Sequence, residues 1–73
     1  MPKLPVVSAR KLIQALKIIG FEKVRQTGSH IVMKHSDGRI AVVPNHKEIK
    51  RGTLRNGILK PLRISLQELL KNL

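Results

Sequence analysis

The chain has 73 residues, 15 of them Lys or Arg and 4 Asp or Glu, for a formal charge of +11; 41% of residues are hydrophobic and one Phe is the whole aromatic content. A chain this short buries only about 60% of the surface its unfolded form exposes, which leaves room for a single domain over residues 1–73 with one modest core and no large substrate cavity. With no Cys, a disulfide framework, Cys-ligated zinc and thiol catalysis are excluded, and the composition fits a reducing cytosol.

Met1-Pro2-Lys3-Leu4-Pro5 lacks the apolar run of a secretory leader, and no stretch approaches the ~18 uninterrupted apolar residues of a membrane span, so a soluble, cytoplasmic protein is expected. Ser8 then precedes Ala9 to Ile19, where Leu12, Ile13, Leu16 and Ile19 recur at three- and four-residue spacing and Arg10, Lys11, Gln14 and Lys17 occupy the other side. This predicts a capped amphipathic helix that Gly20 ends and onto which Phe21 folds back.

From Phe21 to Pro44 the pattern alternates, broken at Thr27-Gly28-Ser29 and at Ser36-Asp37-Gly38-Arg39, which predicts three short strands. Asp37-Gly38 is a strong hairpin signal, and a two-residue type I′ loop there fixes a register. Ser36 then faces Arg39, Met33 faces Val42, Ile31 faces Pro44 and His30 faces Asn45. In that register Ile31, Met33, Ile40 and Val42 point into a core, and His30, Lys34, Arg39 and Asn45 share the other face with Val32, Ala41 and Val43. Pro44 ends the ladder, and Asn45 to Gly52 forms a basic loop carrying His46, Lys47, Lys50 and Arg51.

Thr53 opens a second helical segment with Leu54, Ile58, Leu59 and Leu62 on one side, weakened by Gly57 and ended or kinked at Pro61. Ser65-Leu66-Gln67-Glu68 is a capping box that starts a short third helix with Leu66, Leu69, Leu70 and Leu73 along it. The fold class is therefore α+β. Helix, three-stranded antiparallel meander and helix follow in the order of the double-stranded RNA-binding domain, α-β-β-β-α, with a short C-terminal helix added.

So large a positive excess attracts polyanions, and inside a cell the commonest is nucleic acid. An acidic lipid surface fits less well, because the cations do not line one face of one helix. A single-strand reader that stacks bases on a sheet needs aromatic side chains that this sheet lacks, which leaves recognition of the backbone.

Gly20-Phe21, Arg25-Gln26-Thr27-Gly28-Ser29-His30, Asp37-Gly38-Arg39, Val43-Pro44-Asn45-His46 and Gly52-Thr53-Leu54-Arg55 together resemble the HicA (YcfA-like) toxin family, from Ser8 to the terminal helix. The resemblance implies a double-stranded-RNA-binding-domain-like fold, ribonuclease activity against mRNA, a catalytic His at His30 and neutralisation by a cognate HicB-type antitoxin. Two departures stand out. Asn56-Gly57 supply two residues where the family usually has one, and Pro61-Leu62-Arg63 replace the more usual Gln-Ala-Gly. The extra residue sets Leu54 and Ile58 at i+4, which keeps both on one helical face.

Read on its own, His30 follows a Gly-Ser turn on an open strand face shared with Lys34 and Arg39. A side chain titrating near ~6.5 can exchange a proton at cellular pH, and on RNA that activates a 2′-hydroxyl against the adjacent phosphate without a metal or other cofactor. Lys34, Arg39 or Lys50 can hold that phosphate, with Gly28, Ser29, Lys47 and Arg51 as further RNA contacts. His46, placed by the register beside Ser29, reads equally as a second acid/base group and as a loop residue touching phosphate. His35 falls on the Met33 face and reads as structural. The His residues lack neighbouring carboxylates for a metal site, and Ser29 lacks a carboxylate to complete a nucleophilic triad. Gly28-Ser29 reads either as a backbone N–H nest for a phosphate oxygen or as a plain turn.

The expected function is that of the toxin of a type II toxin-antitoxin system, a metal-independent endoribonuclease with mRNA as substrate, an acidic HicB-type protein as partner and no membrane association. The alternative is a non-catalytic basic RNA-binding module of the same fold. A DNA-binding accessory is a third reading, disfavoured because no recognition helix is apparent.

Overall fold

In the computed structural model, which describes residues 6–73, helix α1 (Ala9–Ile19) leads into strands β1 (Phe21–Thr27), β2 (His30–His35) and β3 (Ile40–Pro44). A helical run and helix α4 (Leu66–Lys71) complete the chain. The expectation made for residues 1–5 lies outside the described residues. The sheet is the antiparallel meander β1-β2-β3, so the α+β order read from the sequence is the one observed.

Ser8 caps α1 by accepting the Lys11 N–H at 3.2 Å, and Gly20 closes it with φ 124° while its N–H donates to the Leu16 and Lys17 carbonyls. Glycine is required at that cap for a second reason. A Cβ on Gly20 would lie 2.6 Å from His35 Nε2, and His35 is wedged edge-on against Phe21 with ring centroids 5.1 Å apart. Leu12, Ala15 and Leu16 of α1 bury against Phe21, Ile31, Met33, Ala41 and Val43 of one sheet face, forming one core with the later helices. At about 1.5–3 kcal/mol for each large aliphatic or aromatic side chain removed from water, this cluster is the main source of stability.

The β2–β3 register differs from the expected one by a single residue. His30 pairs with Pro44, Ile31 with Val43, Val32 with Val42, Met33 with Ala41 and Lys34 with Ile40. The loop is longer than the two-residue turn: the His35 N–H donates to the Arg39 carbonyl and the Gly38 N–H to the His35 carbonyl. Gly38 alone takes positive φ, at 98°, as in a three-residue loop with a glycine bulge. The cause is local. The Asp37 carboxylate accepts the Arg39 backbone N–H at 3.0 Å and its Nε at 2.8 Å, and the Asp37 N–H donates to His35 Nδ1 at 3.1 Å. These bonds hold Asp37 at negative φ, which a type I′ turn forbids.

A one-residue slip turns a strand over. Ala41 and Val43, expected on the open face, are buried, and Ile40 and Val42, expected in the core, are exposed. Arg39 moves with them to the helix-covered side.

Strand β1 carries an irregularity that the alternation does not announce: Lys23 pairs with Met33 and Arg25 with Val32, leaving Val24 as a bulge. Past the bulge, Arg25 and Thr27 join the open face.

The second helical run begins two residues before Thr53. It is α-helical over α2 (Arg51–Thr53), widens into a π segment (Leu54–Leu59) and returns to α in α3 (Lys60–Leu62). Pro61 is expected to end or kink this helix, and the run ends at Leu62, one residue beyond it, after a distorted segment. Proline lacks an N–H and its ring presses on the carbonyl four residues back, here that of Gly57. The π segment widens the helix at that point and also takes up the extra residue of Asn56-Gly57. Leu54, Ile58, Leu59 and Leu62 consequently all reach the core. Arg63 then adopts the left-handed conformation, φ 57°, and its N–H and that of Ile64 donate to the Lys60 and Leu59 carbonyls, closing a Schellman motif. Ser65 caps α4 by accepting the Glu68 N–H at 3.0 Å, the N-cap half of the capping box expected from the sequence.

Candidate functional site

The open face of the sheet is ordered in three cross-strand rows. Nearest the β2–β3 turn lie Glu22, Lys34 and Ile40; the middle row is Arg25, Val32 and Val42; the last is Thr27, His30 and Pro44. His30 is exposed because its neighbour Ile31 is the core residue, and among the described residues its imidazole has no hydrogen-bond partner. A ring held on a rigid strand and left uncommitted at both nitrogens is free to accept and donate a proton. Lys34 projects from the same face four residues along, roughly 13 Å away on the strand, with Val32 between them.

Several chain segments converge at the His30 end. The turn between β1 and β2 places Gly28 in a left-handed conformation, φ 56°, with exposed Ser29 beside it. The Ser29 carbonyl accepts the Asn45 N–H at 2.6 Å, so Asn45 takes the place beside Ser29 that the sequence reading gave to His46. His46 is exposed one residue further out, its backbone N–H on the Pro44 carbonyl at 2.9 Å and its carbonyl accepting the Ala9 N–H at 3.0 Å. A bridge between Val7 and Ile49 draws the rest of this loop to the start of α1. Lys47, Lys50 and Arg51 follow, all exposed.

Arg39 is the site residue whose expected place is overturned. It lies across the sheet from His30, with its Nε on the Asp37 carboxylate at 2.8 Å, Nη1 on the Leu62 carbonyl at 2.6 Å and its guanidinium 5.4 Å from the Phe21 ring centre. These bonds tie the β2–β3 turn to the end of α3, so Arg39 is a clamp within the fold. Asp37 is held below the usual carboxylate range, chiefly because it accepts the Arg39 backbone N–H and then the guanidinium. His35 is half-buried against Phe21, the structural place expected for it.

Sequence reasoning missed two residues of this face and two more near its His30 end. Arg25 and Thr27 stand on it, Thr27 directly opposite His30. Plain alternation from Phe21 turns both toward the helices, and the available warning was that β1 has no apolar residue at 23, 25 or 27 to bury. Arg10 and Lys11, exposed in the first turn of α1, are brought to the His30 end by the Ala9–His46 bond.

Among the described residues no three His, Asp or Glu side chains gather as a metal-ligand set, and no helix is long and apolar enough to cross a membrane. A family model described as HicA toxin of bacterial toxin-antitoxin matches residues 9–63 of the 73, from the first residue of α1 to the left-handed cap at Arg63. No curated protein matches the chain.

Proposed function

Since the chain belongs to the HicA toxin family of bacterial toxin-antitoxin systems, we propose that it is a cytoplasmic, metal-independent endoribonuclease that cleaves mRNA with His30 as its acid/base residue, and that a cognate acidic antitoxin of HicB type holds it inactive. The observation that carries this reading is the uncommitted, exposed imidazole of His30 on a face that also presents Arg25 and Lys34. His30 removes the proton of a 2′-hydroxyl, whose oxygen attacks the adjacent phosphorus; the leaving 5′-oxygen takes a proton from water or a second group. The products are a 2′,3′-cyclic phosphate and a 5′-hydroxyl end. His46, one residue beyond Asn45, is the candidate for that second group, with phosphate contact as its other role. Lys34 or Lys50 offsets the charge that develops on the phosphoryl oxygens. Gly28, Ser29, Lys47, Lys50 and Arg51 extend the RNA-holding surface around the His30 end, and Arg10, Lys11 and Arg25 join them.

His30→Ala should lower the cleavage rate of a defined RNA by on the order of 10² to 10⁴ while leaving fold and RNA affinity intact, since the side chain supports no packing. A substrate with one 2′-deoxy sugar at the cleaved position should resist cutting there. Normal cutting of that substrate, or loss of wild-type activity in EDTA, would refute the proposed chemistry. Unchanged RNA binding with no cleavage by the wild type would leave the non-catalytic RNA-binding module.

A further inference from the structure

The two edges of the sheet are built differently. Strand β1 is interrupted by the Val24 bulge, carries Lys23 and Arg25, and has its Lys23 amine bonded to Gln26. Charge and local twist of this kind block the approach of another strand. Strand β3 has neither device. Ile40-Ala41-Val42-Val43 is uncharged and regular, and Ile40 and Val42 are 56% and 48% exposed.

The hydrogen-bond phase decides what that edge offers. The His35 N–H reaches the Arg39 carbonyl at one end of the β2–β3 ladder, and the Asn45 N–H reaches the Ser29 carbonyl at the other. Antiparallel alternation therefore turns the backbone groups of Arg39, Ala41, Val43 and Asn45 inward to β2 and those of Ile40 and Val42 outward. Among the described residues none pairs with those outward groups. Pro44 closes the edge, because it has no N–H and its carbonyl accepts from His46.

We propose that β3 is a strand-addition site, at which an extended segment of an acidic partner polypeptide pairs with Ile40 and Val42 and prolongs the sheet. The proposal rests on reading the chain as a toxin restrained by an acidic protein, and it names the edge by which that protein docks. Charge selects the partner. A second copy would bring two bodies of +11 edge to edge, whereas an acidic segment gains attraction and main-chain bonds together. Apolar side chains of the segment cover Ile40 and Val42. One end of it emerges beside Pro44, which is opposite His30, so a partner anchored here is carried to the catalytic face.

The test is amide hydrogen exchange on the full chain, titrated with the synthetic peptide Glu-Val-Glu-Val-Glu-Val-Glu and with its Lys-Val counterpart. The acidic peptide should slow exchange at the Ile40 and Val42 N–H groups by about tenfold or more at saturation while β1 amides stay unchanged. Val42→Pro removes an outward donor and no ladder bond, and Ile40→Glu puts a charge on the edge that repels the acidic peptide; each should abolish the effect. Unchanged Ile40 and Val42 exchange, protection on β1 instead, equal protection by the Lys peptide, or protection that grows with protein concentration alone would overturn the proposal. RNA cleavage by the wild-type chain is read separately. Edge protection without cleavage would sink the nuclease reading and leave the strand-addition site standing.

Discussion

Single residues sort into those held by the fold and those left for chemistry, and the two His residues of β2 show the contrast. His35 is half-buried, packed on Phe21 and bonded at Nδ1 by the Asp37 N–H. His30, five residues earlier on the opposite face, has no internal partner among the described residues. That difference was legible in the sequence, because period-two alternation from the apolar Ile31 and Met33 assigns β2 without ambiguity. The role of Arg39 was not legible, since it depends on the Leu62 carbonyl arriving from 23 residues away. The Asp37–Arg39 pair yields a pH prediction. A carboxylate held below its usual value near 3.8 contributes stability that is present above that value and is lost as pH falls through the lower folded one. The melting temperature of Asp37→Asn should therefore lie below that of the wild type at neutral pH, and the gap should close as the pH drops below about 4. A gap that persists unchanged in acid would mean that the ionised pair contributes nothing.

At the scale of elements, helix α1 and α4 follow from their caps, because a Ser N-cap before an apolar period acts within one turn and needs no distant partner. The run from Arg51 to Leu62 shows the opposite case. Gly57 and Pro61 argue locally for a break, and burial of Leu54, Ile58, Leu59 and Leu62 carries the run through a widened segment to Leu62 before it ends. Its C-terminus retains a local conflict: Arg63 occupies a left-handed position that suits glycine, and an L side chain there costs on the order of 1–2 kcal/mol. Arg63→Gly should stabilise the protein by up to about 1 kcal/mol, part of the relief being offset by the greater freedom of glycine in the unfolded chain. Urea unfolding midpoints of the two proteins check this, and a lower midpoint for the variant would refute the strain argument.

Over the whole molecule, the excess of cations makes affinity for RNA a function of salt. Binding by the His30→Ala protein should weaken with a log–log slope of magnitude roughly 0.7 per single-strand phosphate contact. Lys34→Ala and Lys50→Ala should each reduce that slope by less than one unit, whereas Arg39→Ala should leave it unchanged and lower the melting temperature, because its guanidinium serves the fold. A flat salt response would refute backbone-directed binding, and a reduced slope for Arg39→Ala would put that residue back among the RNA contacts. The sequence by itself determined the element order, the caps, the polyanion-seeking charge and the exposure of His30, since each rests on residues near one another in the chain. Which face of β3 is buried was decided only in the folded molecule, by the turn and the core together. Ile40, Ala41, Val42 and Val43 are apolar in both parities, so alternation carried no preference; the Asp37 bonds that lengthen the loop, and the fit of small Ala41 with Val43 under the helices, turned the strand over and left Ile40 and Val42 outside.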